Sequence, residues 1–84
     1  MTEQDLVQLG FTRKQETIES SGADTDWHYY TYEIGSLCLI TPANTEVNSD
    51  KWYVEVFEHS SIRIYYRIDL DALLTVLNNS QHQN

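Results

Sequence analysis

Leu70, Leu73, Leu74 and Leu77 recur three and four residues apart and mark one apolar stripe near the end of the chain. Asp69 suits the cap, Asp71 the first turn, and Asn78 with Asn79 the stop. This predicts a helix over 69–79 and a polar tail over 80–84. A shorter stripe opens the chain, with Leu6 and Leu9 on one side. Thr2 caps it, Asp5 answers three residues on, and Gly10 supplies a left-handed stop that turns Phe11 back toward Leu6. A helix this short, over 1–10, persists only if it docks on the rest.

Between these stripes the pattern changes to that of a pleated sheet. The stretch "WHYYTYEI", Trp27 to Ile34, is built from aromatic and β-branched residues. Gly35-Ser36 separates it from "LCLIT", a hairpin signal that pairs Ile34 with Leu37, Glu33 with Cys38, Tyr32 with Leu39 and Thr31 with Ile40. Alternation then puts Tyr30, Tyr32, Ile34, Leu37 and Leu39 on a core face, and Trp27, Tyr29, Thr31, Glu33 and Cys38 on the other. Residues 12–20 read as a polar edge strand, "SSGADTD" as a loop and "PANTEVNSD" as a polar connection ended by a turn at Asn48-Ser49-Asp50. "KWYVEVFEH" and "SIRIYYRI" complete the sheet. A three-residue loop of His59, Ser60 and Ser61 gives them one apolar face, pairing Val56 with Ile64, Val54 with Tyr66 and Trp52 with Ile68. Tyr53, Glu55, Phe57, Arg63, Tyr65 and Arg67 then share the outer face, with Glu55 diagonal to both arginines. The expected architecture is α+β: one domain over 1–84 with an antiparallel sheet of four or five strands within 12–67. The C-terminal helix packs on one face, with the short N-terminal helix beside it.

Charge narrows the partners. Thirteen acids against five bases give −8 over 84 residues. Nucleic acid and anionic membrane surfaces both select for Lys and Arg, so direct binding to either is not expected. A basic protein partner, mimicry of nucleic-acid charge, or solubility alone fits the balance better. Cys38 is the sole cysteine, which rules out an internal disulfide and fits a reducing compartment. No apolar run of eighteen residues and no basic-then-apolar leader occur, so a cytoplasmic protein is expected.

Catalytic and metal signatures are missing. His28, His59 and His82 fall at a strand start, a loop and a tail without helical pairing, and Asp24 with Asp26 begins a calcium-loop pattern that the later ligands do not complete. His28 and Cys38 point to opposite faces and do not form a base and nucleophile. Gly10, Gly22 and Gly35 each stand alone, so there is no phosphate loop. Neither an enzyme nor a cofactor or metal protein is expected. What remains is the outer face, where Trp27, Tyr29, Tyr53, Phe57 and Tyr65 lie among Glu33 and Glu55. A sheet face so rich in rings is like the stacking surface of single-strand RNA binders, but those are basic and this one is not. Tyr, Trp, Phe and Arg are the residues of protein interfaces.

A short leading helix ending in Leu9-Gly10-Phe11, a Tyr-rich strand before a Gly turn, "KWYVEVFE" after a polar loop, and a closing Leu-rich helix follow one another. In this order the chain resembles the small acidic proteins carried by bacterial prophages and related mobile elements. That resemblance implies a setting and no catalytic residue: many such products inhibit host defence machinery, anti-CRISPR proteins among them. The leading expectation is therefore a protein-binding inhibitor of a nucleic-acid-handling complex. A homodimer joined through the aromatic face and a toxin-neutralising immunity protein are the alternatives.

Overall fold

The computed structural model describes residues 1–17, 26–48 and 50–81; expectations placed on 18–25, on 49 and on 82–84 lie outside them. Strands β1 (Thr12–Glu16), β2 (Trp27–Ile34), β3 (Leu37–Ile40), β4 (Val54–Val56) and β5 (His59–Ile64) form one sheet in chain order, every neighbouring pair antiparallel. Helix α1 (Glu3–Gln8) precedes the sheet, helix α2 (Arg67–Gln81) follows it, and a single 3-10 turn (Asn44–Glu46) lies between β3 and β4. The α+β architecture is the expected one.

The ends of α1 show why six residues hold as a helix. Thr2 Oγ1 accepts from the Asp5 amide at 3.2 Å while Asp5 Oδ2 accepts from the Thr2 amide at 2.9 Å, a reciprocal capping box. At the other end Gly10 takes φ +97°, and the Phe11 amide donates back to the Leu6 carbonyl at 3.0 Å. Phe11 thereby folds in beside Leu6, and both are buried.

Leu6, Phe11, Tyr30, Leu39, Trp52, Val54, Leu70 and Leu74 make the core. It draws on both helices and on one face of the sheet, so α1 and α2 pack on the same inner side. The β2–β3 hairpin has the expected register from Thr31–Ile40 to Ile34–Leu37, with Gly35 at φ +58° in its turn. Tyr30 is the buried tyrosine of β2 and Tyr32 is half-buried. Both hydroxyls reach the rim. Tyr30 Oη donates to Glu3 Oε1 at 3.0 Å, and Tyr32 Oη accepts from Asn78 Nδ2 at 3.2 Å.

The β4–β5 hairpin corrects the sequence reading. Its turn falls at Phe57-Glu58, and Val54 pairs with Ile64, Glu55 with Arg63 and Val56 with His59. The register shifts between Glu55 and Val56, so a bulge absorbs the residues that the three-residue loop was meant to absorb. Neither turn residue is Gly, Asn or Asp, and Glu58 itself takes φ +69°. The turn was therefore invisible to a search for turn-forming residues. Tyr66 and Ile68 do not extend the apolar face opposite Val54 and Trp52; both are exposed. Trp52 instead donates its amide to the Met1 carbonyl at 2.9 Å.

Helix α2 begins at Arg67, two residues before the expected cap, and runs to Gln81 through Asn78 and Asn79. Asp69 stands in its first turn. Asn78 fails to stop the helix because its side-chain amide bonds the Leu74 carbonyl one turn back at 2.8 Å, alongside its bond to Tyr32. The early start also removes Arg67 from the sheet. Its Nη1 donates to Asp5 Oδ1 at 2.8 Å and Gln8 Oε1 at 2.6 Å, tying α2 to α1.

Candidate functional site

With both helices on the inner side, alternation along β2 sends Trp27, Tyr29, Thr31 and Glu33 to the face away from them. Cross-strand pairing continues that face over the whole sheet, through Thr12, Thr31, Ile40, Glu55 and Arg63 in one row. The rings of Trp27 and Tyr29, two residues apart on β2, lie 5.5 Å apart and within 29° of parallel. They form one wall of an open cleft of about 530 Å³. The other wall is the chain leaving β3, Ile40 to Ala43, with Thr45 and Glu46 of the 3-10 turn.

Hydrogen bonds to buried groups fix that second wall. Thr41, itself 5% exposed, accepts from the Tyr30 amide through Oγ1 at 2.9 Å and donates its own amide to the Tyr30 carbonyl at 3.0 Å. Asn44 Oδ1 accepts from the His28 amide at 2.8 Å. Pro42 has no amide to donate, which suits the point where the strand ladder ends and the cleft begins. Glu46 is exposed at the rim, its amide donating to the Ala43 carbonyl at 2.9 Å.

Tyr53 and Tyr65 form a second cluster, their ring centroids 5.3 Å apart. The Arg63 guanidinium lies over the Tyr53 ring at 5.3 Å, and its Nε is 3.2 Å from Glu55 Oε1. Cation, ring and carboxylate thus meet on the surface. Of the residues expected to share the outer face, Trp27 and Tyr29 meet at the cleft, and Glu55, Tyr53 and Tyr65 meet in the second cluster. Phe57 lies in the β4–β5 turn, 53% exposed, with its amide on the Cys38 carbonyl at 2.9 Å. Glu33 pairs with Cys38 beside the β2–β3 turn, at the opposite end of β2 from Trp27.

Sequence reasoning missed the second wall of the cleft, Ile40, Pro42, Ala43, Thr45 and Glu46. Pro42 directly after the apolar "LCLIT" was the available signal, since it sits level with the aromatic end of β2 once the hairpin is folded. Cys38 is half-buried on the outer side, and burial together with the nearby Glu33 carboxylate pushes its thiol above the ordinary range. His28 lies inside, its Nε2 2.5 Å from Glu3 Oε1 and its ring stacked on Trp52. Among the described residues no three of His, Cys, Asp and Glu gather as a metal site, and no helix is long and apolar enough to cross a membrane. No protein-family model, no curated protein and no solved structure matches this chain.

Proposed function

We propose that this chain is a non-enzymatic binding module that docks a basic protein through the outer face of its sheet. One observation carries the reading. Both helices are spent on the inner face, while Trp27 and Tyr29 border an open cleft on the outer one. Rigid aromatic side chains beside a pocket are what interface hot spots use. The net charge of −8 selects a basic partner and speeds its approach. Competition with nucleic acid for a basic channel of a host complex is the form of inhibition this charge favours.

Immobilised protein should capture a basic partner from a bacterial lysate, and Tyr29→Ala should lose it while keeping the fold. Capture should fall steeply with salt, since attraction between charges is screened beyond ~8–10 Å at physiological ionic strength. A best partner that is neutral or acidic, or that ignores salt, removes the charge-mimicry reading.

Self-association is the second reading, and exposed apolar side chains favour it. Phe57, Ile62, Tyr65, Tyr66 and Ile68 are each at least half exposed along β5 and its two ends. Sedimentation of the isolated chain decides: a dimer weakened by Ile62→Ser would move the interface from the cleft to the β5 edge.

A further inference from the structure

We infer that the cleft beside Trp27 and Tyr29 is an arginine-binding site, filled by a guanidinium side chain that a protein partner presents. This rests on the outer-face docking reading and names what the partner must offer. The cleft supplies two near-parallel rings and, at its rim, the exposed Glu46 carboxylate. None of the residues lining it is basic. Lys14 stands opposite Tyr29, but on the β1 side, where it borders a separate depression with Thr12, Thr31 and Glu33.

The chain itself shows how such a set of groups is satisfied. On the same face Arg63 lies over Tyr53 and bonds Glu55, so ring, carboxylate and guanidinium already form one unit there. The cleft repeats two of those three parts, with a second ring added and space of about 530 Å³ for an incoming chain. A guanidinium fits this better than an ammonium. It is planar, stacks flat on a ring, is weakly hydrated and still presents N–H groups at its edge to a carboxylate. Glu46 Oε2 accepts from the Ala43 amide at 3.4 Å and its carboxylate stays exposed at the rim. A neutral aromatic or aliphatic anchor would use the rings but not that charge, and −8 would give it no help in approaching. Charge complementarity therefore commits the site to arginine.

Titration with capped tetra-arginine and tetra-lysine peptides, followed by the two indole N–H resonances, tests the assignment. Trp52 is 2% exposed and serves as the internal reference for the fold. Tetra-arginine should shift the Trp27 signal, leave Trp52 in place and bind roughly two- to fivefold more tightly than tetra-lysine. Glu46→Gln should weaken binding of both peptides. Tyr29→Leu should erase the preference for arginine while tetra-lysine still binds through charge. Equal affinity for the two peptides, or an unmoved Trp27 signal, overturns the arginine site. Should that happen while Tyr29→Ala still abolishes capture of a protein partner, the docking face stands and only its arginine preference falls. Should capture also survive Tyr29→Ala, both fall together.

Discussion

The two faces of the sheet are made from similar side chains and meet different fates. Inside, Tyr30 and Trp52 meet edge to face with ring centroids 5.5 Å apart, and helices close over them. Outside, Trp27 lies against Tyr29 and Tyr53 against Tyr65 at nearly the same separations, on the face away from the helix-packed core. Ring type and spacing do not distinguish the faces. The helical stripes do: Leu6, Leu70 and Leu74 seek one apolar surface, and a short chain has only enough helix to cover one. The face left over is the one on which docking is proposed.

The largest test of this contrast is the loss of an inner ring. Trp52→Ala should cost roughly 3–5 kcal/mol in urea unfolding, as expected for a fully buried aromatic. In a domain this small that is a large share of the total stability. A cost below 1 kcal/mol by that scale would mean that the inner face is not the core.

Tyr32→Ala should cost less, about 2 kcal/mol, because Tyr32 is half-buried, packing its ring 5.3 Å from Phe11. Tyr29→Ala, three residues away on the other face, should cost under about 1 kcal/mol while removing partner binding. Equal losses at the two positions would show that the outer face is a second core.

A third test sharpens the inner face, where α1 is held by polar contacts as well as by Leu6. Burial pulls the Glu3 pKa upward, but hydrogen bonds from His28 and Tyr30 outweigh it, and the carboxyl is held below its ordinary value. The stabilisation is therefore present above the ordinary carboxylate range and lost as pH falls through the lowered value. Glu3→Gln should lower stability at neutral pH by on the order of 1 kcal/mol, the figure being reduced by partial exposure. Urea unfolding near neutral pH and in acid should show the gap between the two proteins closing as Glu3 protonates. A gap that is the same at both pH values would separate the charge of Glu3 from the docking of α1. Asp5 acts in the same sense, held low by the Thr2 amide and then by Arg67.

The smallest effect belongs to the outer ion pair. Arg63→Gln should change stability little, since the guanidinium is exposed and its pairing with Glu55 is screened by solvent. A thermal scan in low and high salt measures it. A larger loss would indicate that the Tyr53–Arg63–Glu55 unit props the β4–β5 hairpin rather than dressing its surface.

Where neighbouring residues supply the signal, sequence alone determined the result. Thr2, Asp5 and Gly10 fix both ends of α1, Gly35 fixes the β2–β3 register, and the leucine spacing marks the stripe of α2 from which Leu70 and Leu74 enter the core. Each works within a few residues, so it can be read locally even where docking on the rest is needed to hold it. The α+β class and the division of β2 into two faces follow directly.

Tertiary structure alone decided the β4–β5 register, the true limits of α2 and the second wall of the cleft. Val54 finds an apolar partner in Ile64 here, where the sequence reading gave Val56 to it, so hydrophobic alternation could not choose between registers. The choice fell to a bulge, to a turn without turn-forming residues, and to the pull of α1 on Arg67 across some sixty positions of chain. The cleft likewise joins β2 to a 3-10 turn that no local pattern connects to it. Short-range preferences are written residue by residue, whereas these features come from competition for burial among segments far apart in sequence, settled only when the core closes.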